Sequence, residues 1–417
     1  MQVENDKKYI KTLSFGCRLN AMECEKIKTM LETHGICGAL VNTCSVTAEA
    51  ERQCGQAVRK IARENPGLPI FVTGCGATRN PELFQKIPGV FVIPNSDKMN
   101  IQAYMDAVPG GINCGTIHGT FDAEDKLSKK FVQIQNGCNH DCTYCITRLL
   151  RGPAVSFDYV NILDSVKDAT RNGFGEVVLT GVDAASYINE YKGKTFLISD
   201  LCRQLLQDVP ELRRLRLSSV DPAVPAIRDI IEIMQSDSRF MPHLHLSMQS
   251  GSDTVLRAMR RRHSADTVRK LVELANGQIS FSWDIICGFP GETPELFDET
   301  LALIRELKPI HIHAFPYSPR PGTVAATMPN QIPRGESKRR VRAITDAAAE
   351  NMQNFMRNQI GNKTSVLVES DNIARTPHDI PVKIIGALIP PRTICDVVIR
   401  GMENEEFIAD VTGADFA

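Results

Sequence analysis

The chain has almost no charge bias: acidic and basic residues nearly cancel, to a net −1. A globally basic surface is thereby excluded, and any nucleic-acid partner must be held by local patches. No stretch approaches the roughly 18 uncharged apolar residues of a spanning helix. Met1 to Lys8 also carries no apolar signal region, so no membrane association and a cytoplasmic location are expected. Long-period repeats and low-complexity tracts are missing, which excludes a solenoid. Tryptophan is nearly absent. The single residue, Trp283, lies in a strand pattern and reads as core and not as a base-stacking platform.

What is present is size, an ordinary core and cysteine. A length of 417 residues predicts two or three domains, and an apolar fraction of 42% is typical of globular interiors. In a reducing compartment, thirteen cysteines read as metal ligands and buried thiols before disulfides.

Residues 8 to 108 alternate short apolar runs with helical patterns. Strands are predicted at Lys11–Phe15, Gly38–Asn42, Pro69–Thr73 and Val90–Ile93. Helices are predicted at Ala21–Thr33, Thr47–Glu64 and Pro81–Lys86. This alternation argues for a parallel sheet with helices on its faces. A cysteine follows each of the first three strands: Cys17, Cys44 and Cys75. The carboxyl ends of parallel strands share one edge, where such folds bind ligands, so these distant thiols should converge there and hold a metal cluster. Cys24, Cys37, Cys54, Cys114, Cys202, Cys287 and Cys395 read as buried core.

The stretch 109–130, with Gly110-Gly111, Gly115, Gly119 and Asp122–Asp125, reads as a linker. From Phe131 the alternation resumes, with strands at Phe131–Ile134, Glu176–Leu179, Arg214–Leu217, His243–Leu246, Ser282–Ile286 and Ile310–Ala314. Six such units suit an incomplete (β/α)6 barrel over 131–358, whose active groups sit at the carboxyl ends of its strands. Those ends carry small, hydroxyl and glycine residues: Thr180-Gly181, Ser218-Ser219, Gln249-Ser250-Gly251 and Gly288 to Glu292. Glycines let a backbone approach a cofactor closely, and the hydroxyls and amides offer hydrogen bonds. Together they read as the rim of one cofactor site. After a long helix, Glu336–Gln359, four strand patterns between 365 and 411 indicate a small all-β module over 361–417.

The densest signal follows the first barrel strand: Cys138-Asn139-His140-Asp141-Cys142-Thr143-Tyr144-Cys145. Three thiolates spaced C-x-x-x-C-x-x-C can hold three irons of a 4Fe–4S cube and leave the fourth iron open to a ligand. Ferredoxin clusters take every position from cysteine and only pass electrons, so an open iron implies chemistry. Zinc would need a fourth ligand and a second knuckle, and neither is found nearby. Tyr144 shields the loop from water or simply packs.

The cysteine spacing resembles that of the radical S-adenosylmethionine enzymes. Nearly the whole chain resembles the radical methylthiotransferases, most closely the branch acting on threonylcarbamoyladenosine beside the tRNA anticodon. The resemblance rests on Gly16-Cys17-Arg18-Leu19-Asn20, Val41 to Thr47, Gly74-Cys75, Gln133 to Cys145, Leu179-Thr180-Gly181, Leu217 to Pro222, Gln249 to Ser252 and Gly288 to Glu292. The chain departs from the family at Thr147 to Gly152, where only Arg151-Gly152 keeps the usual pattern, at Ser247-Met248, and at Asp183 to Tyr187.

The resemblance implies two 4Fe–4S clusters: a radical-generating one on Cys138, Cys142 and Cys145, and an auxiliary one on Cys17, Cys44 and Cys75. One S-adenosylmethionine would methylate a sulfur attached to the auxiliary cluster. A second would yield the radical that activates adenine carbon 2, and both clusters would have to face one cavity. The β module is similar to the RNA-binding TRAM barrel. Arg260-Arg261-Arg262 and Lys338-Arg339-Arg340 are candidates for tRNA phosphates, and Arg213-Arg214 with Arg216 is a third basic run. The sulfur donor and the reductase are not readable. The same chemistry on isopentenyladenosine or on a ribosomal-protein aspartate is a close alternative. A non-catalytic iron–sulfur carrier and a zinc-dependent RNA-binding protein are alternatives from other classes.

Overall fold

The computed structural model describes residues 10–108, 117–118, 128–386 and 388–414. Most of the predicted linker, and Cys114, lie outside them. The chain divides into two compact units. The first comprises the chain up to Asp125 with Gly137–Asn139 and Ile146–Pro153; the second comprises Lys126–Asn136, His140–Cys145 and Ala154 onward. The boundary therefore passes through the cysteine loop.

The first unit is built on four parallel strands in sequence order: β1 (Ile10–Ser14), β2 (Gly38–Thr43), β3 (Ile70–Thr73) and β4 (Val90–Val92). Its helices are α1 (Arg18–Thr33), α2 (Ala48–Glu64), the short α3 (Gly74–Arg79) and α4 (Glu82–Gln85), α5 (Ile101–Ala107) and α6 (Thr147–Arg151). Every residue of β2 is buried, as expected of a strand covered on both faces. Ala39, Val41, Ile70 and Val72 join Cys54, Val58 and Ile61 of α2 in one core. Leu40 and Phe71 pack on the opposite side with Ile27 and Leu31 of α1 and Tyr104 of α5. Helix α2 starts where the Thr47 side chain accepts from the Ala50 amide, which ends the loop that carries Cys44.

The second unit begins with β5 (Lys129–Gln133), and a two-residue pairing of β6 (Gln135–Asn136) with β7 (Val155–Ser156) brackets the cysteine loop. Then follow α7 (Tyr159–Arg171), β8 (Glu176–Thr180), a hairpin of β9 (Ile188–Tyr191) and β10 (Lys194–Leu197), and α8 (Ile198–Asp208). Next come β11 (Leu215–Leu217), α9 (Ile227–Ser236), β12 (His243–Gln249), α10 (Asp253–Ala258), α11 (Ala265–Ala275), β13 (Ser280–Cys287), α12 (Pro294–Leu307), β14 (His311–Pro316) and α13 (Arg334–Gln359). Strands β5, β8 and β11 are parallel neighbours, as are β12, β13 and β14. Bridges Leu215–Phe240 and Val220–Leu246 join the two halves. No pairing of β14 with β5 occurs among the described residues, so the barrel is incomplete as expected. Trp283 is fully buried in its core.

The C-terminal module is a closed barrel of β15 (Lys363–Ser370), β16 (Ile373–Arg375), β17 (Pro381–Ile385), β19 (Glu406–Ala414) and β18 (Ile394–Glu403), in that order around the ring. It docks at the amino-terminal ends of the large barrel's strands. Lys129 at the start of β5 pairs with Asp379 at 2.7 Å, and Ser128 Oγ donates to the Val368 carbonyl. Arg214 donates to Ser365 Oγ, and Arg216 holds buried Glu176 at 2.6 Å while donating to the Pro377 carbonyl. Two cations of the Arg213–Arg216 run are thus buried in this junction. No described helix is long and apolar enough to cross a membrane.

Candidate active site

In the first unit, β1 leads directly into Cys17 at the N-cap of α1. Cys44 follows β2, and Cys75 lies in the first turn of α3, a short helix to which the sequence pattern assigned no element. Gly16 has φ +86°, and a Cβ there would stand 2.5 Å from Cys44 Sγ, so only glycine lets these segments close together. Cys17 is exposed, whereas Cys44 and Cys75 are buried. Burial pushes the Cys44 thiol up, and the nearby Cys17 and Cys75 thiols add to that. The structure therefore brings these three thiols together. Cys24, Cys54, Cys202, Cys287 and Cys395 are buried free thiols as expected, whereas Cys37, also buried, is disulfide-bonded and not a core thiol.

Beside the trio lies a polar network that the sequence reading missed. Arg151 of α6 donates to both Glu23 carboxylate oxygens, at 2.8 and 3.1 Å, and to Asn20 Oδ1 at 2.7 Å. Lys98 binds the same carboxylate at 2.7 Å. Asn20 in turn donates to the carbonyls of Phe15 and Thr43, tying the ends of β1 and β2 together. Burial opposes ionisation of Glu23, but Arg151 and Lys98 overcome it and hold the carboxyl below its ordinary range. The charges of Cys75 and Cys17 also act on Arg151. Three converging thiols beside two fixed cations suit a group that concentrates thiolate and sulfide charge. The one available signal was Arg151-Gly152, the part of its run that keeps the family pattern.

In the second unit, residues 140–145 of the cysteine loop are moored to the strand ends of the large barrel. Thr143 donates through its amide to the Met259 carbonyl and through its hydroxyl to that of Ala258, and its own carbonyl accepts from Ala325. Tyr144 packs with Val255, Met259, Phe289 and Ala325, and burial drives its hydroxyl pKa well up. His140 meets Asp183 after β8 at 2.6 Å. Arg261 reaches Cys142 Sγ at 3.5 Å, Asp221 after β11 at 3.1 Å and the Ser247 carbonyl of β12 at 2.8 Å. Burial pushes the Cys142 thiol up, with Arg261 the chief opposing influence. Cys138 belongs to the first unit, where its amide donates to the Gly152 carbonyl.

The rim residues occupy the expected strand ends. Thr180 is buried, and its carbonyl accepts from Ile134. Gly181 lies against Gln135, Ser218 is half-buried and Ser219 is exposed. Gln249 ends β12 at φ +69°, a left-handed conformation that non-glycine residues rarely adopt. Ser250 and Gly251 turn toward α12, where the Gly251 amide donates to Thr300 Oγ1 at 3.0 Å. Nε of buried Arg261 has no hydrogen-bond partner, a donor beside Cys142 that suits the carboxylate of a bound amino acid. Thiols, hydroxyls and this donor fit an iron–sulfur cluster with S-adenosylmethionine.

The basic runs separate by burial. Arg260 and Arg262 are about half exposed, Arg260 pairing with Asp141 and Arg262 with His140 and Asp221. Lys338 and Arg339 are exposed. Arg261 points inward, and buried Arg340 is fixed to Glu292 at 2.7 Å.

The sequence matches the Radical SAM superfamily over residues 132–304 and Uncharacterized protein family UPF0004 over residues 7–93. It is 38% identical to the threonylcarbamoyladenosine tRNA methylthiotransferase MtaB of Rickettsia prowazekii (strain Madrid E), over 89% of this chain and 90% of that protein. This chain belongs to the radical S-adenosylmethionine tRNA methylthiotransferases. As a member, the methylthiotransferase is an enzyme that uses an iron–sulfur cluster and S-adenosylmethionine. It is also 30% identical to the tRNA-2-methylthio-N(6)-dimethylallyladenosine synthase of Erythrobacter litoralis (strain HTCC2594), over 88% of each chain. Among solved structures, the radical S-adenosylmethionine methyltransferase TsrM from Kitasatospora setae shares its fold. That likeness has a TM-score of 0.57 at 13% identity and covers 77% of each chain.

Proposed function

We propose that this methylthiotransferase adds a methylthio group to carbon 2 of N6-threonylcarbamoyladenosine next to the tRNA anticodon, using two 4Fe–4S clusters and two molecules of S-adenosylmethionine. Two separate cysteine trios carry the reading: Cys17, Cys44 and Cys75 on one sheet edge, and Cys138, Cys142 and Cys145 on one loop. The Rickettsia prowazekii relative, named for this substrate, supports the choice of nucleoside. When bound, the loop's cluster supplies the electron that turns S-adenosylmethionine into a radical source able to attack an unactivated C–H bond.

The chain's own groups do the holding. Arg261 orients Cys142 through an N–H to sulfur contact, and Thr143 and Tyr144 fix the loop and exclude water. Thr180, Gly181, Ser218, Ser219, Gln249, Ser250 and Gly251 form the rim around the cofactor, with the Gln249 backbone turned at the mouth. Exposed Arg260, Arg262, Lys338 and Arg339 are the cations placed to meet phosphates, while Arg261 and Arg340 act inside. In domain terms we assign 1–108 to the auxiliary cluster, 109–130 to a linker, 131–358 to the radical chemistry and 361–417 to RNA contact.

The test is mass spectrometry of nucleosides from tRNA incubated anaerobically with reconstituted protein, S-adenosylmethionine, sulfide and reductant. A methylthio derivative of threonylcarbamoyladenosine is expected. If 5′-deoxyadenosine accumulates while that nucleoside stays unmodified, the substrate is another nucleoside or a protein. Cys142→Ala should abolish reductive cleavage of S-adenosylmethionine. Cys44→Ala should leave cleavage largely intact but stop the product, and normal product from it overturns the role of the Cys17, Cys44 and Cys75 trio.

A further inference from the structure

Three of the four strand ends in the first unit deliver a thiol, and the fourth delivers an amide. Beyond β4 the Ile93 amide still donates to the Val72 carbonyl of β3 at 2.9 Å, so the chain stays beside the strand that leads to Cys75. Pro94 has no N–H with which to continue the ladder. The next residue is Asn95. Its backbone amide donates to Thr78 Oγ1 at 2.9 Å, and that hydroxyl donates to the Gly74 carbonyl. Asn95 is thereby pinned to α3, the helix that carries Cys75.

An asparagine that follows a strand ordinarily bonds its side chain to the backbone of its own turn. Asn95 does not. Its Nδ2 donates to the Leu150 carbonyl of α6 at 3.1 Å and to Cys75 Sγ at 3.7 Å, which uses both amide hydrogens. Its Oδ1 accepts from Lys98 Nζ at 3.1 Å. An ammonium only donates and a carbonyl only accepts, so these two neighbours allow the amide one orientation, with an N–H facing sulfur. Lys98 is itself fixed. It is 4% exposed and paired at 2.7 Å with Glu23, the carboxylate that Arg151 also holds. Displacing a buried, paired charge is costly, so this orientation is set firmly.

The neighbouring thiol of Cys44 accepts from a main-chain donor, the Val46 amide at 3.5 Å. Among the described residues, Asn95 is the one side chain that donates to a thiol of this trio. An N–H directed at a ligating sulfur draws charge from it. It therefore favours the reduced form of an iron–sulfur cluster over the oxidised one and raises the potential. We propose that Asn95, oriented by Lys98 and Glu23, is a positioning residue for the cluster on Cys17, Cys44 and Cys75 and sets its reduction potential through the Cys75 sulfur. The inference rests on the two-cluster reading above and names the side chain that tunes the second cluster.

The experiment is a redox titration, followed by electron paramagnetic resonance, of the full-length chain carrying Cys138→Ala, Cys142→Ala and Cys145→Ala. Reconstituted with iron and sulfide, this parent leaves the signal to the remaining trio. Asn95→Leu keeps the branch at Cγ without the N–H. It should shift the one-electron equilibrium about tenfold toward the oxidised form, a fall of about 59 mV. Asn95→Asp keeps an oxygen for Lys98 but turns an acceptor toward the sulfur, and its potential should fall at least as far. Iron per chain should match the parent in both. If the leucine variant does not fold or load iron, the isosteric Asn95→Asp decides on the same potential. A potential unchanged in the variants that load a cluster overturns the proposal, whatever happens to their stability, and leaves the two-cluster reading standing. A folded parent that binds no iron overturns that reading and the proposal with it.

Discussion

Arg151 and Arg261 show what a side chain's type leaves open until its surroundings are known. Arg261 sits in a run of three arginines, which in a sequence reads as a solvated face fit for phosphates. Its guanidinium is in fact buried, shared among Cys142, Asp221 and Ser247. Arg151 gave no reason for notice beyond one retained dipeptide, because Glu23 and Asn20 are more than a hundred residues away. The cysteines were legible because their chemistry follows from type and spacing alone; burial and long-range partners do not. Arg151→Ala should cost the first unit about 2–4 kcal/mol, since it leaves the buried Glu23 carboxylate with Lys98 alone. Chemical denaturation checks this. Arg151→Met combined with Glu23→Gln should recover part of the loss by removing the uncompensated charge, and a double variant as weak as the single one contradicts the account.

At the scale of the element, strands were found wherever an apolar run was flanked by turn residues, and their ends moved by at most four residues. Barrel strands β12 and β13 extend further than expected, because polar Ser247, Gln249, Ser280 and Cys287 stay in the ladder. The β9–β10 hairpin escaped because its apolar residues, Ile188, Tyr191, Phe196 and Leu197, do not alternate with polar ones; Lys192 and Gly193, with φ of 51° and 73°, make its turn. The three-residue β16 is too short to show a period. The alternating histidines of β12 and β14 were absorbed into strand assignments, although their period of two was itself the sign of a polar face. The turn from β1 to α1 supports a sharper prediction. Gly16→Ala forces a Cβ into Cys44 Sγ and an unfavourable φ, so the variant should fold yet bind iron only at the Cys138–Cys145 loop. Iron content and cluster spectroscopy would show one cluster in place of two, with S-adenosylmethionine cleavage retained. Full iron loading in that variant would remove the need for glycine there.

Across the whole molecule, the sequence indicated three successive architectures but not how the last is attached. Attachment depends on side chains distant in sequence: Lys129, Glu176, Arg216 and His243 on the large barrel, and His378 and Asp379 on the small one. This junction lies at the opposite strand ends from the cysteine loop, so the small barrel can be perturbed without touching the cofactor rim. Its titration has a definite sign. Burial lowers His378 from 6.5 to about 4, and burial with the nearby Arg216 holds His243 well below its ordinary value. The unfolded chain therefore binds more protons than the folded one below about 6.5, and stability must fall with pH through the window down to about 4. Lys129 and Arg216 overcome the burial of Asp379 and hold its carboxyl below its ordinary range, so its contribution persists above the carboxylate range and disappears only in stronger acid. Thermal unfolding between pH 7 and 4 should show a steep decline that His378→Gln flattens, because glutamine keeps a hydrogen-bonding side chain without a titrating ring. Limited proteolysis at pH 5 should release the small barrel first. An equal slope in wild type and variant would place the acid sensitivity elsewhere, and His243, with both ring nitrogens on Ser280 and Ser282, is the next residue to change.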